Sequence, residues 1–320
     1  MDLSIVIVNW NTRDILRDCL LSVYDQTSEI EYEVIVIDNA SIDDSVSMVR
    51  AEFPQVYLIE NSENRGFAAA NNQGMEIAKG QYVLLLNSDT IILDNAISKT
   101  LEFAKDRPNA AVVGCRVLNA DKSLQPTCFM FPSLLNLALA SIYLYKIFRK
   151  NRFFGRELMT WWNRDDIREV DVVDGCFMLV RREAYEQVGG TDEQFFMYSE
   201  ETDWCYRFKQ AGWKNIFAPI AEIVHLGGQS SRQVAGKMAL QLRGSVLQFC
   251  KKHYSPFTYR LACFLMLIFF VVRIPMWFIK WTVSTRNRAY CRLRMKIYVI
   301  GAWRLISGGW RSLCVNSCKL

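Results

Sequence analysis

The chain has 320 residues, 51% of them hydrophobic, which supplies a large core and excludes a disordered or low-complexity protein. All 33 acidic residues precede Lys251, while 13 of the 38 Lys and Arg lie between there and Leu320, so an acidic body carries a basic tail suited to an anionic surface. Ten scattered cysteines without a C-x-x-C pair, and only two histidines, argue against structural zinc and for reduced thiols in a cytoplasmic protein.

The chain runs almost at once into LSIVIVN from Leu3, so no signal peptide is expected. Short Val- and Ile-rich runs follow at Ile5–Val8, Val34–Ile37, Val56–Ile59, Tyr82–Leu86 and Ala110–Val113. Helical patterns separate them at Asp14–Tyr24, Asp43–Phe53, Gly66–Ala78 and Asn95–Ala104. Continuous apolar strands alternating with helices predict an α/β fold with a mainly parallel sheet covered on both faces. Ligands of such sheets bind at the carboxyl ends of the strands. Polar clusters stand there: Asn9-Trp10-Asn11-Thr12, Asp38-Asn39-Ala40-Ser41, Glu60 to Gly66, and Asn87-Ser88-Asp89-Thr90. Each alone reads as a cap or turn; four on one sheet edge predict a polar cleft.

Further along, Leu134–Phe148 reads as a helix against a membrane or a cap over the site. Val170–Val180 is strand-like and leads into a helix at Arg182–Val188. A helix capped by Ser199 ends near Gly212, and Lys214–Ala218 and Glu222–Val224 read as short strands. These complete a first domain over residues 1–250. The tail, 251–320, carries Leu261–Val272 and Ile274–Ile279, roughly a membrane-spanning length interrupted by Arg273 and Pro275. It spans a bilayer, or it lies in the interface with Trp277 and Trp281 at headgroup level. A soluble hairpin leaves the absence of acids unexplained.

The cleft residues suit a nucleotide and its phosphates. Asp38 can accept from ring N–H or ribose hydroxyls, Asn9 and Asn11 add hydrogen bonds, and Arg65 can reach a phosphate. Asn64, Gly66 and Ser88 belong to the same donor-binding set, the Gly66 turn opening a helix whose N-terminus favours anions. No P-loop and no G-x-G-x-x-G is present. Asp89 is a hard ligand for a divalent cation, Mn2+ or Mg2+, with Asn87 assisting and His225 as an imidazole ligand. A histidine after an apolar run is ordinarily a core residue, but two glycines follow this one. In FFMYSEETDW, Glu201 shares a helix face with Trp204 and Phe208, at the edge of a buried stripe where desolvation would make it a useful base. Glu200 shares another face with Asp203 and Arg207. The competing reading is acids stabilising a helix dipole.

The segments SIVIVNWN, VIVIDNAS, ENRGFAAANNQG, YVLLLNSDT, VDGCFMLVRREAYEQVGG, FFMYSEETDWCYRFKQAGW and IVHLGGQSS, in this order from Leu3 to Ser231, resemble glycosyltransferase family 2 enzymes of the GT-A fold, especially the rhamnosyltransferase-like bacterial group. The resemblance implies inverting single displacement without a covalent intermediate. It implies that Asp38 contacts the base, that Asn87 and Asp89 occupy the Asp-x-Asp metal position, and that His225 is a further metal ligand. Glu201, beside Glu200, would be the catalytic base, and Gly175, Cys176 and Trp204 would lie near sugar or acceptor. Two positions depart from the pattern: Asn87 stands where the metal motif begins with Asp, and Glu201 where Asp is commoner.

The expected donor is dTDP-L-rhamnose or a UDP- or GDP-sugar, and the expected acceptor a lipid-linked or other glycan of cell-surface polysaccharide synthesis. The expected location is the cytoplasmic face of the cell membrane. A sugar nucleotidyltransferase would need a glycine-rich basic loop after the first strand, which is lacking. A membrane-bound sugar-nucleotide binder with a degenerate site is the non-catalytic alternative. The apolar density of the tail favours lipid over nucleic acid.

Overall fold

The computed structural model describes residues 1–148, 150–284 and 286–314. Among the described residues the main sheet has ten strands, eight of them in one continuous order: β1 Leu3–Asn9, β2 Tyr32–Asp38, β3 Tyr57–Glu60, β4 Tyr82–Asn87, β5 Thr90–Ile92, β6 Ala110–Leu118, β7 Phe177–Arg181 and β8 Lys214–His225; the short strands Leu124–Gln125 and Arg168–Glu169 pair on β6 and β8. The order of the eight is β3-β2-β1-β4-β7-β6-β8-β5. β1, β2, β3 and β4 are parallel, whereas β7 runs antiparallel to β4 and β6, and β5 antiparallel to β8. The sheet is therefore mixed and mainly parallel, a GT-A-like α/β arrangement.

The chain steps outward from β1 to β3 and then returns to the other side of β1 as β4. That reversal opens a crevice at the carboxyl edge, where open α/β sheets bind ligands. The register brings the strand tips level: Asn9 pairs with Asp38, Val8 with Asn87, and Asp38 with Glu60.

Alternation of side chains sends Leu3, Ile5 and Ile7 to one face against Leu16, Leu20 and Val23 of the helix Arg13–Asp25. Val6 goes to the other face with Ile35, Ile37, Ala70 and Met75. Each fully buried aliphatic side chain contributes about 1.5–3 kcal/mol, so these two layers hold the strand tips rigidly. β8 is one strand of 12 residues where two short ones were expected. Its pairing with β6 slips between Phe217 and Glu222, around Pro219, which has no N–H to give the ladder.

A third apolar cluster joins Leu137, Leu240, Leu247, Met266, Phe270, Ile297 and Leu313. The helix Leu134–Ser141 belongs to it and does not cap the cleft: it packs on the continuous helix Pro256–Val283. The Arg273 guanidinium donates to the carbonyls of Ala140 and Ser141 at 2.8 and 3.0 Å, so the charge inside the apolar helix is met by the end of another helix. Gly301 lets the helix Arg288–Gly308 approach closely, since a Cβ there would stand 2.4 Å from the Phe270 ring. The helix Ala235–His253 runs through residue 250 and joins this cluster to the sheet domain. Pro256–Val283 is long and apolar enough to cross a membrane, with a mean hydropathy of 2.3 over its most apolar 18 residues. Phe257, Phe264, Val271 and Phe278, spaced seven apart, form an exposed stripe along it.

Candidate active site

A cleft of about 660 Å3 opens at the sheet's carboxyl edge. Trp10 enters from the tip of β1, Asn39 from β2, Asn64 and Gly66 after β3, and Asn87, Ser88 and Asp89 from β4. The opposite wall is Phe196 with Met197, and Gly228 to Ser231 form an edge. All four strand tips thus meet in one place.

At one end, His225 Nε2 lies 3.0 Å from Asp89 Oδ1 and 3.2 Å from Asn87 Nδ2. The local fold causes this: β8 pairs with β5, setting His225 opposite Thr90, one residue after Asp89. Behind it, Gln125 donates to Asn119 Oδ1 and to the His225 carbonyl, so its Oε1 faces His225 Nδ1 at 2.6 Å. Nδ1 therefore carries a proton and Nε2 is directed at the carboxylate. Burial would raise the Asp89 carboxyl, but the His225 hydrogen bond holds it below its usual value. Burial would lower His225, and Asp89 raises it instead.

The acids lie on the helix Glu200–Gln210. Ser199 does not cap it through its side chain; Tyr198 and Ser199 both adopt left-handed backbone, φ 67° and 66°, a strained entry that aims the first turn inward. Glu200 is buried with Oε2 lacking a partner, and burial together with Glu201 pushes its carboxyl well up. Glu201 is half-buried, and burial followed by the charge of Asp174 raises it to about 7. Glu201 does not line the cleft itself. It borders Gly175, where a Cβ would stand 3.9 Å from Glu201 Cβ and 3.6 Å from the Phe67 ring of the cleft wall.

The family model described as Glycosyl transferase family 2 matches residues 4–189, more than half of the chain. The chain belongs to glycosyltransferase family 2. It is 27% identical over 243 residues to the N-acetylglucosaminyl-diphospho-decaprenol L-rhamnosyltransferase of Mycobacterium tuberculosis, covering 71% of this chain and 77% of that one. It is 26% identical over 233 residues to a low-salt glycan biosynthesis hexosyltransferase of Haloferax volcanii, covering 70% and 67%. A mannosyltransferase from Pyrobaculum calidifontis, solved with GDP-Man and Mn2+, superposes with a TM-score of 0.59 at 15% identity, over 95% of this chain and 87% of that one.

In this glycosyltransferase several expected ligand-facing residues do structural work. Asp38 is 2% exposed and accepts from Asn9 Nδ2 at 2.9 Å and the Ser41 N–H at 2.8 Å, so Asn9 and Asp38 lie beneath the cleft floor. Asn11 is used in the same turn, its N–H on Ser41 Oγ and its Oδ1 on the Ile42 N–H. Arg65 is exposed and outside the cleft lining. Trp204 has no exposed surface; its indole donates to the Gly189 carbonyl at 2.8 Å and its ring packs against Phe208 in the core. The Cys176 side chain is likewise buried, while its carbonyl holds the Asn87 N–H at 3.1 Å. Trp10, Asn39, Gln125 and Asp174 went unassigned in the sequence reading. Trp10 and Asn39 stand inside motifs already singled out, and Asp174 immediately precedes Gly175. Gln125 has no sequence signal, being 100 residues from its partner.

Proposed function

We propose that the protein is an inverting glycosyltransferase that moves L-rhamnose or a hexose from a nucleoside-diphosphate sugar to a hydroxyl of a lipid-linked glycan. One observation carries this reading: the Asp89–His225 pair opens on a cleft whose Phe67 wall borders Gly175, and Gly175 in turn borders a half-buried acid, Glu201, raised to about 7. Such an acid accepts protons at neutral pH better than an exposed carboxylate. The acceptor oxygen bonds to the anomeric carbon as its proton passes to a Glu201 oxygen. The bond from that carbon to the diphosphate breaks, and the diphosphate leaves with the electron pair. Trp10 and Asn39, which line the cleft, would flank the base.

The residues fit a divalent cation, Mn2+ or Mg2+. With Nδ1 protonated, Nε2 meets the Asp89 carboxylate at 3.0 Å in one of two ways: as a second N–H in an imidazolium ion pair, or as a lone pair with a cation held between the two. Asp89, His225 and the Asn87 side chain would hold the ion, which when bound supplies positive charge against the departing diphosphate. Rhamnose as the transferred sugar, and a lipid-linked acceptor, draw support from the mycobacterial relative. The exposed Phe257, Phe264, Val271 and Phe278 stripe and the basic tail support attachment to the cytoplasmic face of the cell membrane.

The test is a panel of dTDP-, UDP- and GDP-sugars with the full chain in detergent, with and without Mn2+. One sugar nucleotide should raise the melting temperature by several degrees and be consumed when a lipid-linked acceptor is added. If none binds, the reading fails. If one binds and no acceptor is ever glycosylated, the non-catalytic alternative, motivated by Asn87 in the metal motif, takes its place.

A further inference from the structure

A second concavity lies on the far side of the helix Ala235–His253 from the cleft. It is an open groove between that helix and Arg288–Gly308, with Leu313 and Cys314 also in its lining. Four cationic side chains line it: Lys237, Lys296, Arg304 and Arg311. Among the described residues no acid lines it, and none occurs in the sequence after Glu222. Between the cations the wall is apolar, with Leu293 51% and Trp303 67% exposed. A wall that is cationic and apolar at once matches an anionic head on a hydrocarbon chain.

The groove also stands in a fixed relation to the cleft. Val234 and Met238 line the cleft, whereas Gly236, Lys237 and Leu240 line the groove. The two sites therefore share the first turns of one helix, facing opposite ways.

We infer that this groove binds the diphosphate and first isoprenoid units of the lipid-linked acceptor, its glycan extending round the amino end of the helix Ala235–His253 to the cleft. The inference rests on the proposed transfer to a lipid-linked glycan and names where that lipid is gripped. Four cations suit a diphosphate, whose charge exceeds that of a single phospholipid phosphate. The neighbouring hydrocarbon surface receives the chain.

The test measures binding of radiolabelled farnesyl diphosphate to the full chain in detergent. Donor-induced thermal stabilisation of the same samples serves as a control for folding. Saturable binding is expected, at least tenfold weaker for Lys296→Glu combined with Arg304→Glu, and at least tenfold weaker for Lys296→Glu combined with Arg311→Glu. Farnesol should not compete. Both variants should keep the donor-induced shift. Unchanged binding in these variants overturns the inference. So does equal competition by phosphatidylglycerol, which would make the groove a general lipid contact. So does a tenfold gain on truncation after Cys314, which would make the chain's own end the occupant. Loss of donor binding in the unaltered protein, with farnesyl diphosphate still bound, would remove the transferase reading and leave the groove.

Discussion

The backbone N–H of Phe67 donates to the carbonyl of Phe196 at 2.7 Å, tying the helix Phe67–Ile77 in the cleft wall to the loop that enters the acidic helix. Gly66 makes this approach possible. Its φ is +86°, and a Cβ there would stand 2.4 Å from that same carbonyl. Gly66→Ala should cost about 1–3 kcal/mol, lower the melting temperature by several degrees and abolish donor-induced stabilisation. Calorimetry with and without donor reads both effects. Normal values would mean that the two elements are not coupled.

Glu201→Gln should lower transfer by about 10²–10⁴-fold while donor binding is kept. In the parent enzyme the rate should rise with pH through about 7, as Glu201 loses its proton. Stability should move the opposite way. A carboxyl raised above its unfolded value contributes fully below that value, and its contribution is lost as pH rises through about 7. The glutamine variant should therefore melt higher than the parent at pH 8 and not at pH 4. Melting curves at the two pH values check the sign.

Gln125→Leu removes the acceptor that fixes the Nδ1 proton of His225. Manganese dependence of transfer should weaken by about 10–100-fold, with maximal rate at saturating ion largely retained. A Mn2+ titration of initial rates decides; an unshifted curve would remove Gln125 from the ion's support.

Asp203 is fully buried among Arg207 Nε at 2.8 Å and Lys252 Nζ and His253 Nε2, each at 2.7 Å. Burial would raise its carboxyl, but the bond from His253 and the neighbouring cations hold it at about 2. A depressed carboxyl contributes above its unfolded value of 3.8 and loses that contribution as pH falls towards 2, an effect of about 2 kcal/mol. Acid unfolding between pH 4 and 2 should be correspondingly flatter in Asp203→Asn, which should also be less stable at pH 7. Parallel acid titrations of both proteins would contradict this if their slopes matched.

Phe264→Glu with Phe278→Glu charges the exposed stripe of Pro256–Val283 without touching the buried Met266 or Phe270. The variant should leave the membrane fraction on cell breakage and stay folded by circular dichroism. Full retention in the membrane would shift attachment elsewhere on the chain.

The sheet was legible because its strands are continuous Val- and Ile-rich runs, and the four polar tips were legible because they end those runs. Residue type alone could not reveal which tip residues face outward. Asn9, Asn11 and Asp38 have the chemistry of ligand-binding groups, yet they satisfy one another and the Ser41 turn. Trp204 shares a helix face with Glu201 in sequence, but three residues further along the helix that face is already in the core. Leu134–Ser141 was ambiguous because its partner, Pro256–Val283, lies over a hundred residues away. Helical periodicity says that a face is apolar and not what covers it.

The helix Ala235–His253 has 19 residues and so measures roughly 28 Å end to end. Its first turns flank the cleft, and in its last turn Lys252 and His253 bind Asp203 of the acidic helix. It therefore acts as a ruler between two fixed points: adding or deleting one turn, about 5 Å, would pull either the cleft edge or the Asp203 cluster out of place.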